Sequence, residues 1–202
     1  MNLVLRSVII IVLTSVIGIS IYSLINDSRK GDYERSLIAE RTQKDIWFGS
    51  DFDSPFLKTN TPFHRLHYFE PNIDFMIKVK VSKRSAVDSI ELVTSSGASE
   101  WYHIYGEAIF TLLNKKNSLQ LLFQPGDKEL FIPFMDATSG KNSYGAGRYL
   151  EAQIPYENEL VLDFNLAYNP YCAYVEGYSC PFPPKKNILE ISIEAGEKSF
   201  YD

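Results

Sequence analysis

Short runs of residues that alternate between the two faces of a strand constrain the fold of this chain most. Residues 75–81 alternate apolar side chains with Met and Lys, which is the period-two pattern of a half-buried strand. The segments between the runs carry Asn, Asp, Gly, Pro and Ser, the residues of tight turns. Further runs follow at the spacing of hairpins, at residues 90–94, 101–113, 119–124 and 129–134. This pattern predicts a mainly β fold, an antiparallel sandwich or barrel.

An uncharged, mostly apolar run near the N-terminus begins at Val8 and ends at Ile25. Roughly twenty apolar residues span a bilayer, so the run is just long enough for a transmembrane helix. A cleaved signal peptide is the alternative, since Gly18-Ile19-Ser20 offers small residues, although no Ala-x-Ala site is present. A buried soluble helix is least favoured, because the run is apolar on every face. We predict an N-terminal transmembrane or signal helix, favour an uncleaved anchor, and expect the membrane as a partner.

The side of the membrane on which the body lies is indicated by two conflicting signals. Arg29, Lys30 and Arg35 follow the apolar run and outnumber Arg6 before it, which favours a cytoplasmic body. The paired cysteines and the tyrosine-rich, loop-rich body favour export instead. We predict a membrane-anchored or secreted protein with its body on the extracytoplasmic, periplasmic side.

The remaining chain has the length of one domain with its own core. Residues 32–48 are charged with interspersed apolar positions and predict one short surface helix, in which Glu40 and Lys44 form an ion pair one turn apart. Turn-forming residues follow up to Pro62. The net charge of −5 gives no basic patch for nucleic acid. The predicted organisation is an anchor or signal segment at 1–26, a helical linker and loop at 27–60, and a β-rich domain at 61–202.

Both cysteines lie in a stretch at residues 163–198 that is crowded with Pro, Tyr and Asn and is therefore expected to be ordered. Cys172 and Cys180 could form a disulfide, remain free core thiols, or supply half of a metal site. Zinc is disfavoured, because the spacing is not that of zinc ligands and no histidine follows His103. For an exported chain the disulfide is the leading interpretation. We predict no metal site and no cofactor.

Candidate chemistry centres on Arg148, which follows two glycines that let the backbone turn tightly towards a partner, most simply a carboxylate. The carboxylates suited to acid–base work are Asp136, Asp163, Glu194 and Glu197. No Ser-His-Asp pattern and no phosphate-binding loop is present.

The chain also resembles a known family, the uncharacterised family catalogued as domain of unknown function 1684. The resemblance covers nearly all of the chain after the predicted anchor, and its C-terminal motif is long and specific. Tyr171 departs from the pattern, since a second proline is common there. The resemblance implies little about function. The residues that carry it are Arg41, Lys44, Asp45, Ser54, Pro55 and Phe56, then residues 131–138, 144–150 and 163–184, Asn187, and residues 195–198.

Three hypotheses follow for the polar residues of the C-terminal half. They form a buried network that ties the C-terminal loop to the sheet, they line a binding site for a small molecule or saccharide, or they belong to a hydrolase in which Asp163 or Glu197 is the base and Arg148 clamps an anion. The structural role is the favoured one of the three hypotheses, since buried polar networks often specify a fold. Between the other two we favour binding and leave enzymatic activity open. The candidate binding residues are Arg148, Asp163, Asn165, Tyr168, Asn169, Glu197 and Lys198.

Overall fold

The computed structural model describes the backbone of residues 3–201 and the side chains of residues 12–83 and 88–201. It divides into two compact units, Met1–Glu40 and Arg41–Asp202. The second unit contains the sheet, the C-terminal stretch and the end of the first helix.

The N-terminal part is one continuous helix, α1, from Leu3 to Ser50. The separate short surface helix predicted at residues 32–48 is instead the last part of α1. No proline interrupts residues 26–50. Of the two glycines there, Gly49 lies at the end of the helix, and Gly31 costs only about 1 kcal/mol relative to alanine. Within the described residues, no helix combines the length and mean hydropathy of a membrane span. The side chains of residues 8–11 of the predicted anchor lie outside this description.

Six antiparallel strands form a single sheet in the order β5-β4-β3-β2-β1-β6. Its outer strands, β5 and β6, lie beside each other, so the sheet is a nearly closed barrel. The prediction of a mainly β, antiparallel fold is confirmed, and the sheet has the barrel form rather than the sandwich form. The strands are β1 Met76–Val93, β2 Ser99–Leu112, β3 Lys115–Phe123, β4 Glu129–Phe134, β5 Arg148–Gln153 and β6 Glu159–Asp163.

Strand β1 covers most of both of the first two predicted strands, residues 75–81 and 90–94. Its backbone pairing with β2 changes register between Lys83 and Asp88, as at a β-bulge. This register change separates the two predicted runs although the strand continues. Short helices complete the fold: α2 Pro55–Lys58 and four 3₁₀ turns at Ile73–Phe75, Phe164–Leu166, Tyr171–Ala173 and Lys185–Asn187.

The barrel interior is an apolar core that the C-terminal segment completes. Leu189, Ile191, Ile193 and Ala195 are all buried in the same cluster as the inward side chains of the strands. This segment runs beside the end of β4, where the amide of Leu189 donates to the carbonyl of Met135 at 2.8 Å. The 163–198 stretch is thus ordered because its apolar positions close the core.

A second cluster of aromatic side chains joins the end of α1 to the C-terminal stretch. Phe48 lies at its centre, with ring centroids 5.5 Å from Phe56 and 5.3 Å from Tyr174. Phe56 also contacts Phe200 at 5.3 Å. Burial of several large rings gives this cluster a substantial share of the apolar stabilisation. It fixes residues 41–50 of α1 against the C-terminus of the chain.

Candidate functional site

Arg148 is the first residue of β5, and its side chain is fully buried. Its Nη1 donates to the carbonyls of Ala195 at 2.5 Å and Glu197 at 3.0 Å, and its Nη2 donates to the carbonyl of Ile193 at 2.9 Å. One guanidinium therefore binds three carbonyls of the C-terminal segment. The planar fork of donors makes arginine suited to this task.

The residue before Arg148 explains how the side chain reaches this position. Gly147 has a φ of +96°, and a Cβ there would lie 2.6 Å from the carbonyl oxygen of Phe134. Only glycine allows this backbone to approach strand β4 so closely. The prediction that a tight glycine turn brings Arg148 to a partner is consistent with this geometry.

Asp136 supplies the carboxylate that faces Arg148, with Oδ1 3.4 Å from Nη2. Both side chains have no exposed surface. The carboxylate also accepts from the hydroxyl of Thr138 at 2.8 Å and from the amide of Ile193 at 2.6 Å. Burial lowers the pKa of Arg148 from its ordinary value, and Asp136 opposes that change. A buried pair held by this many hydrogen bonds is a structural tie between β4, β5 and the C-terminal segment.

Glu197 is a second buried carboxylate, only 1% exposed. Its Oε1 lies 2.6 Å from the ammonium of Lys44, while Oε2 accepts from the amide of Asn169 at 2.9 Å and from the hydroxyl of Tyr174. Burial raises the pKa of Tyr174 above its ordinary value, and the charge of Glu197 raises it further. Each carboxylate oxygen of Glu197 thus has a partner. Gly196 positions this residue with a φ of +77°.

Asp163 and Asn165 act together at the end of β6. The carboxylate of Asp163 accepts from the backbone amide of Asn165 at 3.0 Å and from its side-chain amide at 2.9 Å. Asn165 in turn exchanges two hydrogen bonds with the backbone of Asn72, at 2.9 and 2.8 Å. These contacts hold two loops together.

Asn169 and Lys198 form a further link within the C-terminal stretch. The side-chain amide of Asn169 donates to the carbonyl of Lys198 at 2.8 Å. The amide of Lys198 donates to the carbonyl of His67 at 2.8 Å, and its ammonium lies 5.2 Å from the centre of the Phe69 ring. The structure therefore brings the predicted site residues close together. Most of their side chains form hydrogen bonds with backbone amides or carbonyls.

Lys44 belongs to this network and reaches solvent, with its side chain 31% exposed. Its ammonium lies 4.8 Å from the centre of the Tyr168 ring and 5.5 Å from that of Phe48. Tyr171 continues the array, with its ring centroid 6.3 Å from Phe48 and 5.1 Å from Tyr178. We refer to Lys44, Tyr168, Tyr171, Tyr178 and Glu151 as the aromatic rim.

The rim carries one negative group. The hydroxyl of Tyr168 donates to the carboxylate of Glu151 at 2.8 Å, and Glu151 is exposed on β5. Burial raises the pKa of Tyr168, and the Glu151 charge adds to the effect, so this hydroxyl stays protonated and can donate. A ligand at the rim would meet an ammonium, a carboxylate and the faces or edges of several rings.

Cys172 and Cys180 lie side by side, and the structure has them as free thiols. The amide of Cys172 donates to the Cys180 sulfur at 3.3 Å. The structure thus places the cysteines as neighbours without a bond between them, and the disulfide stays a prediction. Within the described residues, no group of three or more His, Cys, Asp or Glu side chains could hold a metal ion.

Sequence reasoning missed two cationic residues at the end of α1. Lys44 pairs with Glu197, a partner that the predicted ion pair with Glu40 did not include. Arg41 donates to the carbonyls of Phe69 at 2.8 Å and Asn165 at 3.3 Å. Both residues occur among those that carry the family resemblance. Their place among the residues of the resemblance was the one sign in the sequence that Arg41 and Lys44 belong with the C-terminal cluster.

Comparison with known proteins gives a family but no activity. The family described as "Protein of unknown function (DUF1684)" matches residues 61–198. A solution NMR structure of an uncharacterized protein from Haloarcula marismortui is similar, with 34% sequence identity and a TM-score of 0.66 over 87% of this chain and 99% of that one. No curated protein matches the chain.

Proposed function

The chain belongs to the DUF1684 family of proteins of unknown function, and we propose that its body binds a small polar ligand, with a saccharide as the ligand class that fits best. The observation that carries the proposal is the position of Lys44. Its ammonium stands where the buried network reaches solvent, between the rings of Tyr168 and Phe48. The rest of the network supports the shape of the site and does not itself contact the ligand.

The chemistry of the aromatic rim matches that of a sugar. Aromatic rings offer apolar faces to the C–H groups of a pyranose, while charged and hydroxyl groups bind its hydroxyls. Tyr171 is 37% exposed and offers such a ring. Lys44 supplies a donor, and Glu151 supplies an acceptor at the hydroxyl of Tyr168. The opposite charges of Lys44 and Glu151 favour a neutral polar ligand over a strongly anionic one.

The rim is also held in place before any ligand arrives. The ammonium of Lys44 is fixed by Glu197, and the Tyr168 backbone pairs with Tyr149 of β5 through two hydrogen bonds of 2.8 and 2.9 Å. Groups fixed in this way lose little conformational freedom on binding, which favours affinity.

The alternative, a hydrolase that uses Asp163 or Glu197 with Arg148 as an anion clamp, has less support. The donors of Arg148 point to three backbone carbonyls and Asp136, and the side chain has no exposed surface. Glu197 is engaged by Lys44, Asn169 and Tyr174. An anion clamp and a general base both need an accessible group.

We also retain the proposal that residues 8–25 attach the protein to a membrane, with the body on the extracytoplasmic side. Its support is the uncharged apolar run in the sequence. Carbonate extraction of membranes from cells that express the full chain tests attachment, and protease protection in intact cells or spheroplasts tests the side. Release of the chain by carbonate, or protection of the body in spheroplasts with an intact inner membrane, would contradict the respective part.

A saccharide array followed by calorimetric titration tests the binding proposal. The full chain is screened against mono- and oligosaccharides of glucose, N-acetylglucosamine and uronic acids. Tyr171→Ala is expected to weaken the selected saccharide by about three- to tenfold, since one aromatic contact contributes roughly 0.5–1.5 kcal/mol. Tyr156→Ala, at a fully exposed tyrosine outside the rim, is the matched control and should bind normally. Absence of binding to every sugar, or equal losses in both variants, would contradict the proposal.

A further inference from the structure

The two cysteines sit in a setting that the saccharide proposal does not use. Cys172 is partly exposed and belongs to the 3₁₀ turn Tyr171–Ala173, whereas Cys180 is buried. The amide of Cys172 donates to the sulfur of Cys180 at 3.3 Å. Cys172 is therefore the more exposed residue of the pair.

Two hydroxyl groups lie near the thiol pair. The hydroxyl of Tyr144 lies 4.0 Å from the Cys172 sulfur. Ser95 contacts the backbone of Cys180, where its hydroxyl accepts from the amide of Cys180 at 3.1 Å and its amide donates to the carbonyl of Cys180 at 2.9 Å. Groups that can donate to a sulfur favour the thiolate, which is the nucleophilic form of cysteine.

We propose that Cys172 and Cys180 form a reversible thiol–disulfide exchange site, in which Cys172 attacks an accessible disulfide and Cys180 resolves the mixed disulfide. This role differs from a permanent structural staple, because the pair passes between dithiol and disulfide in the folded protein. It is independent of the saccharide site, whose residues take no part in the exchange.

The exchange balances in two steps. The Cys172 thiolate attacks one sulfur of an external disulfide, forms a mixed disulfide and releases one thiolate, which takes a proton from solvent. Cys180 then loses its proton to solvent and attacks the Cys172 sulfur, which releases the second external thiol. The two cysteines are oxidised to one disulfide, and the external disulfide is reduced to two thiols by the same two electrons.

The electrostatics of the pair support this division of roles. A hydrogen bond from Cys180 outweighs burial and, with others from Tyr144 and Ser95, lowers the pKa of Cys172 to about 6. The hydrogen bond to Cys172 raises the pKa of Cys180, with further contributions from burial and from the charges of Cys172 and Glu100. The charge on Cys172 is absent in the mixed disulfide, so Cys180 then ionises more readily.

Reaction with oxidised glutathione, followed by intact mass measurement, tests the proposal. The reduced full chain should lose two hydrogen atoms and carry no glutathione. Cys180→Ser should retain one glutathione, because the resolving thiol is missing, whereas Cys172→Ser should react slowly. If the wild-type chain stays a dithiol, or if Cys172→Ser takes up glutathione as readily as Cys180→Ser, the proposal is overturned. Both substitutions are nearly isosteric, and circular dichroism verifies the fold of each variant.

Equilibration in glutathione buffers of varied ratio separates an exchange site from a staple. The proposal predicts that both the dithiol and the disulfide are populated within the accessible range of ratios. A folded chain that keeps the disulfide at every ratio would show a permanent staple and overturn the proposal.

Tyr144→Phe tests the environment of the thiolate without changing the shape of the ring. The rate of attack on dipyridyl disulfide near the pKa of Cys172 should fall by about two- to tenfold, the usual effect of one lost hydrogen bond. The other titratable groups that interact with the two sulfurs, Cys180, Tyr149 and Glu100, are kept in this variant. Tyr105→Phe, at a tyrosine bonded instead to Pro155, is the matched control and should react at the wild-type rate. Equal rates in all three chains would contradict the assigned role of Tyr144 and the donor environment on which the proposal rests.

Discussion

The ammonium of Lys44, near the end of α1, lies 2.6 Å from the buried carboxylate of Glu197, which follows it by 153 residues. This ion pair joins the first structured part of the body to its last. It also marks the boundary between the buried network and the aromatic rim, because Lys44 is partly exposed whereas Glu197 is not. The pair is thus both a structural tie and one edge of the proposed site.

Lys44→Met is expected to destabilise the body by roughly 2–4 kcal/mol, because the buried carboxylate of Glu197 loses its charged partner. The value lies below that of a fully buried pair, since Lys44 is partly exposed. Urea denaturation measures the change. Lys141→Met, at an exposed lysine, is the control and should change the free energy of unfolding by less than about 0.5 kcal/mol. Equal stability of the two variants would show that the pair contributes nothing.

Arg148→Lys should destabilise the protein by roughly 3–5 kcal/mol although the charge is kept. A lysine ammonium cannot reproduce the fork that binds the carbonyls of Ile193, Ala195 and Glu197. The control, Arg65→Lys, changes an exposed arginine and should be nearly neutral. Thermal and urea unfolding measure the stability of the two variants relative to the wild type. If Arg148→Lys unfolds like the wild type while ligand binding is lost, Arg148 serves a site rather than the fold.

Gly196→Ala and Gly177→Ala separate backbone conformation from steric contact. Both glycines have positive φ, +77° and +90°. An alanine at either position costs about 1–2 kcal/mol for the left-handed backbone. A Cβ at Gly196 would also lie 2.5 Å from the carbonyl oxygen of Ala167, whereas one at Gly177 would meet nothing within 4 Å. We expect Gly196→Ala to unfold at a much lower denaturant concentration than Gly177→Ala. Similar unfolding midpoints for the two variants would contradict a steric contact at Gly196.

Stability should fall as the pH rises above the ordinary tyrosine pKa of 10.0, because the pKa of buried Tyr174 is raised in the folded state. A group with a raised folded pKa contributes stability that is fully present below its unfolded pKa and is lost as the pH rises towards the folded value. Urea midpoints between about pH 9 and 11 measure the loss. Tyr174→Phe should be less stable at neutral pH and show a shallower decline. A wild-type midpoint that is constant over this range would be inconsistent with buried, protonated tyrosines.

The parts of the fold that depend on local sequence patterns could be predicted. Period-two alternation, with turn residues between the runs, identified β1 to β4, since each of these strands buries one face. Strands β5 and β6 were not predicted. Closure into a barrel depends on the meeting of β5 with β6, which no local pattern encodes. The continuity of α1 was missed because the change from apolar to charged residues was interpreted as a boundary, although no residue there breaks a helix.

The candidate site was predictable in composition but not in geometry. The density of Pro, Tyr and Asn at residues 163–198 correctly indicated an ordered segment. Whether Arg148 faces solvent or three carbonyls depends on where the C-terminal segment lies, which is a tertiary property. Lys44 carries no local sign of its pairing with Glu197, because long-range ion pairs leave no periodic trace.

Titration of the isotopically labelled full chain with the saccharide selected on the array, followed by amide chemical shifts, locates the bound sugar. We expect the largest shifts around Lys44, Glu151 and residues 168–172, with the amides of Ile193 and Ala195 inside the Arg148 network little changed. Shifts confined to the groove of about 560 Å³ that is lined by Lys78 and Lys80 of β1 and Lys116 of β3 would contradict the proposed saccharide site.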